Sequence, residues 1–237
     1  MGYRFSISGF TVLLLVLMAA GFQGGSLQRL SSDVTTRIWQ DGTSIQSVSS
    51  IFYLADGTLI MRSTEPEEVI MKTNRLGELF VYHPAENTVD YQQNRDLSSE
   101  SSQFFLFFQG LTDDMGLRNM GFRLSESYFE DGHDISYWSP PRELATHISK
   151  AKLVHNDYRP VYLSIHQNDD RVLRRTYFHS YTQIIDHDFP LRITTIQYES
   201  EQDSIVMQTI FDNIKVNEQA NSRYFDFQIP DDARISD

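Results

Sequence analysis

The chain has 237 residues, a formal net charge of −12 and no cysteine. The acidic balance argues against nucleic-acid binding, because a negative surface repels phosphate backbones, and the lack of cysteine excludes disulfides, thiol catalysis and thiolate metal sites. Sixteen Phe and twelve Tyr beside only seven Pro favour a fold built from strands.

The first 24 residues have the plan of a secretory signal peptide. Arg4 precedes an apolar run over residues 10–22, and small residues follow that run. Because the run is shorter than the ~20 residues that a membrane helix needs, we expect cleavage, with an uncleaved anchor as the alternative. No cysteine follows the run, so the mature N-terminus cannot be lipidated there. The sequence therefore predicts a soluble exported protein whose folded domain spans residues 25–237.

A helix is predicted at the start of this domain, over residues 26–40. Four apolar residues recur there at helical spacing, namely Leu27, Leu30, Val34 and Ile38. From residue 44 the period changes to two, which is typical of strands. Short turn signals such as Asp56-Gly57 separate these strands, so they are expected to form an antiparallel meander. In the first half of the chain the predicted strands span residues 44–54, 58–62, 69–73, 79–83 and 89–92.

The strands are interrupted by a Phe-rich segment, residues 101–111, which is predicted to be a helix. Phe104, Phe107, Phe108 and Leu111 fall on one face, and Phe105 with Leu106 makes the opposite side apolar too. Serines at 98, 99, 101 and 102 are candidate N-caps, and Gly110 lies near the expected end. A helix that is apolar all round is normally buried. It either fills the core or lines a cavity for an apolar ligand, and the sequence leaves both interpretations open.

The second half of the chain returns to alternating patterns. Predicted strands span residues 122–128, 134–138, 150–155, 161–167, 172–178, 191–198, 205–216 and 224–229. The last of these has the clearest alternation, with Phe225, Phe227 and Ile229 on one side. The fold class is therefore mainly β with helices, an α+β arrangement in which about 11 of these segments are strands of a curved antiparallel sheet and helices cover its concave face.

The sequence offers little for covalent chemistry. Its seven histidines lack paired ligand spacing, and no nucleophile elbow or phosphate-binding loop occurs. Arg174-Arg175 is interpreted as a solvated or ion-paired edge rather than an anion site. We therefore expect no enzymatic activity, no metal and no cofactor.

Three stretches of the sequence form an ordered set of short motifs. The first is Gly-Thr-Leu-Ile-Met-Arg at 57–62, followed by Pro66, and the second is Gly-Glu-Leu-Phe-Val-Tyr-His-Pro at 77–84. The third joins Asn-Ile-Lys-Val-Asn at 213–217 to Phe-Asp-Phe-Gln-Ile-Pro-Asp-Asp-Ala at 225–233. In this order the stretches resemble those of the LolA-like periplasmic lipoprotein carriers and outer-membrane lipoprotein-sorting proteins. The chain departs from the family at Ile70, which stands near the position of a cavity arginine, so a lid step that uses that arginine is not expected.

The resemblance implies a half-open, incomplete β-barrel whose apolar cavity holds the acyl chains of lipoproteins in the periplasm and moves them toward the outer membrane. It also implies an inner-membrane release complex and an outer-membrane receptor as partners, and we expect a monomer. The predicted cavity residues are Leu59, Met61, Val69, Met71, Phe104, Phe107, Phe108, Leu111, Phe225 and Phe227. The main alternative is a non-enzymatic envelope sensor or adaptor of the same fold that binds a protein partner, and an envelope hydrolase is the remaining one.

Overall fold

The computed structural model describes residues 26–200 and 203–236. The predicted signal peptide, residues 1–24, lies outside them. Most of the described chain is extended, as the aromatic-rich, proline-poor composition predicts. The strands are β1 Arg29–Gln40, β2 Thr43–Leu54, β3 Leu59–Glu65, β4 Val69–Thr73, β5 Glu78–His83, β6 Thr88–Gln93, β7 Arg123–Glu130, β8 His133–Ser139, β9 Ile148–Asn156, β10 Arg159–Gln167, β11 Val172–Ile184, β12 His187–Tyr198, β13 Ser204–Val216 and β14 Arg234–Ile235. Within the described residues the one α-helix is α1, Gln103–Phe108, and 3₁₀ turns occur at Arg95–Leu97, Ser99–Ser101, Asn217–Gln219 and Arg223–Asp226.

All 14 strands belong to one sheet. Its order is β14-β6-β5-β4-β3-β2-β1-β13-β12-β11-β10-β9-β8-β7, so strands adjacent in the sheet are consecutive in sequence except where β1 pairs with β13 and β14 with β6. Every pairing is antiparallel apart from β14 on β6. The two ends of the order, β14 and β7, are not paired with each other, so the sheet curls without closing. The predicted antiparallel sheet is confirmed, but the described part of the chain has 14 strands and one α-helix in place of about 11 strands and several helices.

The predicted helix over residues 26–40 is wrong, because this segment forms β1. Its register runs from Arg29 opposite Leu54 to Gln40 opposite Thr43. Leu30, Val34 and Ile38 are spaced by four residues, which fits one face of a helix and equally one face of a strand. Strand β1 sits between β2 and β13, where its backbone groups complete two ladders.

The predicted strand over residues 224–229 is also wrong. Residues Arg223–Asp226 form a 3₁₀ turn capped by the hydroxyl of Ser222, which accepts from the backbone N–H of Tyr224 at 3.3 Å. The apolar alternation is nevertheless real, since Phe225 is buried and Phe227 is half-buried while Asp226 between them is exposed. The segment lies on a sheet surface without joining its ladder.

Two hydrophobic clusters occupy opposite faces of the sheet. The inner face, toward which the sheet curls, carries α1 together with Ile51 and Tyr53 of β2 and apolar residues from β8–β13. The outer face of β2–β6 carries Phe52, which alternates with Ile51 and Tyr53, and is covered by the C-terminal segment around Phe225. The chain end thus covers the outside of the sheet while α1 occupies its inside.

Candidate ligand-binding groove

Helix α1 is fixed at both ends by its own sequence. The Ser102 hydroxyl accepts from the backbone N–H of Phe105 at 3.2 Å, which confirms one of the predicted N-caps. At the other end Leu111 N donates to Leu106 O and Gly110 N to Phe107 O, the pair of hydrogen bonds that defines a Schellman motif. Gly110 has φ +65°, and a Cβ there would approach the ring of His187 to 2.8 Å. The helix is therefore held to six residues, shorter than the predicted span.

The aromatic side chains of α1 fill the space between the helix and the sheet. Phe107 is 1% exposed and meets Phe178 and Phe189 edge to face at 5.5 and 5.8 Å. Phe104 similarly contacts Phe211, with ring centroids 5.1 Å apart. The gap left beside Phe107 and Phe108 measures only about 10 Å³, too little for an acyl chain. Of the two interpretations that the sequence left open, core filling describes this helix.

Leu111 does not belong to the apolar face predicted for the helix. It follows the Schellman turn and is 49% exposed, so it does not pack with Phe104, Phe107 and Phe108.

Four of the predicted cavity residues lie together on the inner face, beyond α1. Cross-strand pairing places Met61 opposite Met71, and Leu59 and Val69 flank that pair on the same face. All four are half-buried, and Leu59 and Met61 pack against the inner cluster. The structure thus brings these residues into one apolar strip.

Phe225 and Phe227, in contrast, lie on the outer face. Phe225 packs edge to face on Phe52 at 5.5 Å, and Phe227 packs near Tyr82 with centroids 6.1 Å apart. They therefore stabilise the far side of the sheet and do not line its inner face. Ile70, the residue that departs from the family pattern, is buried in the same outer cluster.

A band of hydroxyl groups marks where the packed part of the inner face ends. Along β11 the inner face carries Phe178, which contacts α1, and then Thr176, whose hydroxyl lies 3.3 Å from that of Thr195. Thr36 and Thr209 form a similar pair at 3.4 Å across β1 and β13. Beyond this band the inner face opens to solvent.

The open part contains a groove of about 380 Å³. Its floor is formed by β9–β12 and its walls by the connections before β7 and before β9. The apolar lining is Met120, Phe122, Leu144, Ile148, Ile165 and Leu173. Met120 is 51% and Leu144 38% exposed, so oily surface faces water at this site. A groove of this size lies near the lower end of the about 300–1,000 Å³ that small-molecule sites occupy.

A β-bulge turns two consecutive residues of β11 toward this groove. Ile165 pairs with Arg174 and His166 with Val172, so Leu173 is the extra residue on β11. Both Leu173 and Arg174 line the groove. Arg174 continues an inner-face row that runs from Trp138 through Ala151 and Ile165 across four strands.

Arg174 is exposed to solvent at the groove, yet the surrounding walls remove water from its guanidinium, and this desolvation lowers its pKa. Among residues 26–200 and 203–236, no carboxylate comes within ion-pair distance of it. The neighbouring Arg175 points to the other face and lies over the ring of Tyr198 at 5.4 Å.

The interpretation of Arg174-Arg175 as an edge was therefore wrong. Strand β11 lies inside the sheet between β10 and β12, and the two guanidinium groups lie on opposite faces. The groove was missed because its walls come from connections that lack any regular period. The one sequence signal for Arg174 was its place next to Leu173 in an alternating strand.

These features define a class: a curled, unclosed antiparallel sheet with one short helix on its inner face and an open apolar groove beside that helix. This is the fold of the LolA-like proteins. A LolA superfamily protein of Nitrosomonas europaea superposes with a TM-score of 0.55 at 13% identity, covering 86% of this chain and 91% of that one.

Two further solved structures share the architecture. A DUF1329 family protein of Desulfovibrio piger has a TM-score of 0.56 and 16% identity, covering 90% of this chain and 94% of that one. An outer membrane lipoprotein-sorting protein domain of Vibrio parahaemolyticus has a TM-score of 0.56 and 12% identity, covering 83% and 88%. The predicted resemblance is thus confirmed at the level of fold.

No protein-family model matches the sequence, and no curated protein does. A search of the described residues for a helix long and apolar enough to cross a bilayer found none.

Proposed function

We propose that this protein is an exported, non-enzymatic carrier that shields acyl chains from water. The observation that carries the proposal is the open groove beside the packed helix, with six apolar side chains in its lining and Met120 and Leu144 exposed. Each methylene group moved from water into such a groove contributes about 0.8 kcal/mol of binding free energy, so burial of even part of an acyl chain stabilises the complex. Binding and release then require only ligand exchange, with no covalent step.

The proposed cargo, cellular location and partners are inferred from the fold. Two structures of the same architecture are described as a LolA superfamily protein and as an outer membrane lipoprotein-sorting domain. We infer that the cargo chains belong to lipoproteins and that the protein acts in the periplasm after loss of residues 1–24. An inner-membrane release complex and an outer-membrane receptor would then load and unload it, with the carrier as a monomer.

The site assignment within the inner face differs from the one predicted from sequence. The Phe residues of α1 pack on β11, β12 and β13 and so stabilise the inner face that also carries the groove. The half-buried strip around Met61 and Met71 is a second apolar surface on the same face, and flexible thioether side chains suit a surface that adapts to different chains.

An adaptor that binds a protein partner is the second candidate, and one observation favours it. The space between α1 and the sheet is filled, as expected for a protein of this fold that does not hold a ligand in a deep cavity. In that case the protein partner would bind an exposed element such as the edge strand β7, where Phe129 is 70% exposed.

The two candidates are separated by measuring binding of 1-decanol to the purified mature chain by calorimetry. A carrier binds the alcohol, and Leu144→Glu weakens binding at least about tenfold, because a carboxylate in the groove meets the chain without compensation. Leu76→Glu, at an exposed turn away from the groove, is the matched control and leaves binding unchanged. Failure of the unaltered protein to bind 1-decanol, together with no acyl lipid in solvent extracts of the exported protein, would rule out the carrier and favour the adaptor.

A further inference from the structure

We propose that the groove binds a single-chain lipid that carries one negative charge, a fatty carboxylate, and that Arg174 pairs with the carboxylate. This inference rests on the proposed function, in that the groove shields an acyl chain, and it assigns a free fatty acid as a further ligand of the same groove beside the lipoprotein chains. It combines three observations: the position of Arg174, the lack of any partner for its charge among the described residues, and the size of the groove.

The position of Arg174 suits a head-group contact. The bulge opposite Ile165 turns Leu173 and Arg174 to the same groove, so an apolar side chain and a guanidinium lie side by side on one strand. A lipid chain that lies along Leu173 and Ile165 brings its polar end to Arg174. Beyond Ile165 the same row continues through the buried residues Ala151 and Trp138, so a guanidinium stands at one end of the row and mainly apolar side chains follow it.

The charge of Arg174 has no carboxylate partner among the described residues. It differs in this from the arginines that form ion pairs, such as Arg62, which lies 2.6 Å from Glu68, and Arg159, which lies 2.9 Å from Asp188. Among the described residues, none of those that line the groove is acidic. Glu199 accepts a hydrogen bond from Gln197 at 3.2 Å, but it is not within ion-pair distance of Arg174. A guanidinium beside an apolar lining forms a charge-assisted hydrogen bond when an anion binds, and such a bond is stronger than one between neutral groups.

The form of the ligand follows from size and charge balance. A groove of about 380 Å³ takes one chain more readily than the two of a phospholipid. One guanidinium balances one negative charge, and its planar fork matches the two oxygens of a carboxylate. The protein as a whole carries a charge of −12, so an anion that lacked this local cation would be repelled.

The test compares two ligands that differ only at the head group. Calorimetry on the mature chain is carried out with decanoate and with 1-decanol, both as monomers in solution at neutral pH. We expect decanoate to bind more tightly than 1-decanol, and Arg174→Gln to weaken decanoate about tenfold while changing 1-decanol less than about twofold. Arg174→Lys keeps the positive charge but loses the planar guanidinium, so this variant should keep part of the preference for decanoate.

The matched control is Arg192→Gln. Arg192 is an exposed arginine on the neighbouring strand β12, next to the inward-facing Ile193, and points away from the groove. Its removal lowers the protein charge by the same amount and should leave both affinities unchanged.

The outcomes are distinct. Equal affinity of the unaltered protein for the two ligands, or an equal loss of both in Arg174→Gln, overturns the head-group assignment and leaves the carrier standing. Binding of neither ligand removes the carrier itself. If Arg174→Gln does not fold, the decanoate preference of the unaltered protein and its persistence in Arg174→Lys still decide the question.

Discussion

The ring of Phe108 stacks on the ring of Phe189, with centroids 5.2 Å apart and planes 9° from parallel. This contact joins α1 to β12, and Phe107 and Phe104 of the same helix reach β11 and β13. Helix α1 thus ties together three strands of a sheet whose ends do not meet. An unclosed curled sheet needs such a tie, because no final strand pairing holds its curvature.

Phe107 is expected to be a stability residue. Phe107→Ala removes a ring that is 1% exposed and should lower the free energy of unfolding by about 3–5 kcal/mol. Phe129→Ala, at a side chain 70% exposed, should change it by less than about 0.5 kcal/mol. Urea denaturation followed by circular dichroism measures both. A loss below about 1 kcal/mol for Phe107→Ala would mean that the space under the helix is not filled as described.

The N-cap of α1 should also contribute measurably. Ser102→Ala removes the acceptor for the N–H of Phe105 and should cost about 1 kcal/mol of stability. Ser102→Asp keeps an acceptor at the same place and should restore most of that loss. The same denaturation curves test the pair, and equal losses in the two variants would argue against a capping role.

Substitutions on the two faces of the sheet should affect different properties, with stability reduced from the outer face and ligand binding reduced from the inner face. Phe225→Ala should cost about 3–5 kcal/mol of stability, because Phe225 is buried against Phe52 on the outer face, while the affinity for 1-decanol stays within about twofold. Leu144→Ala is the complementary variant, with a small stability change and weaker binding. Reduced 1-decanol affinity in a folded Phe225→Ala protein would contradict the assignment of the groove to the inner face.

Tyr181 should make the protein sensitive to alkali. Its hydroxyl donates to the carbonyl of Pro160, and burial, with the charge of Asp188 as a second cause, raises its pKa well above 10.0. In the unfolded chain the phenol ionises near pH 10, whereas in the folded protein it stays protonated, so the folded state binds more protons above that pH.

The stabilising contribution of Tyr181 is therefore complete below about pH 10 and is lost as the pH rises above it. Unfolding midpoints in urea between pH 8 and about 11.5 should fall on the alkaline side, and Tyr181→Phe should flatten that fall. Tyr158→Phe, at an exposed tyrosine of the turn before β10, is the control and should leave the slope unchanged. An identical slope in the unaltered protein and Tyr181→Phe would show that this phenol does not govern the alkaline response.

Interactions between residues that are close in the sequence determined much of the secondary structure of this protein. Alternating patterns with turn signals predicted the meander, and β4 matches its predicted residues 69–73 at both ends. One of the predicted serine N-caps, Ser102, begins the helix and Gly110 follows its end as predicted, because caps and turns depend on neighbouring residues, although the helix is shorter than the predicted span. The order of three short motifs also predicted the LolA-like fold that the structural comparisons support.

Tertiary structure decided the features in which distant residues compete for the same surface. Leu30, Val34 and Ile38 fit a helix or a strand equally well, and only the ladders offered by β2 and β13 made them a strand. Phe225 and Phe227 alternate like a strand, but which face of the sheet they cover depends on packing against Phe52 and Tyr82 far away in the chain. The groove at Arg174 arises where a bulge and two irregular connections meet, and burial at such a junction depends on the whole fold rather than on any local pattern.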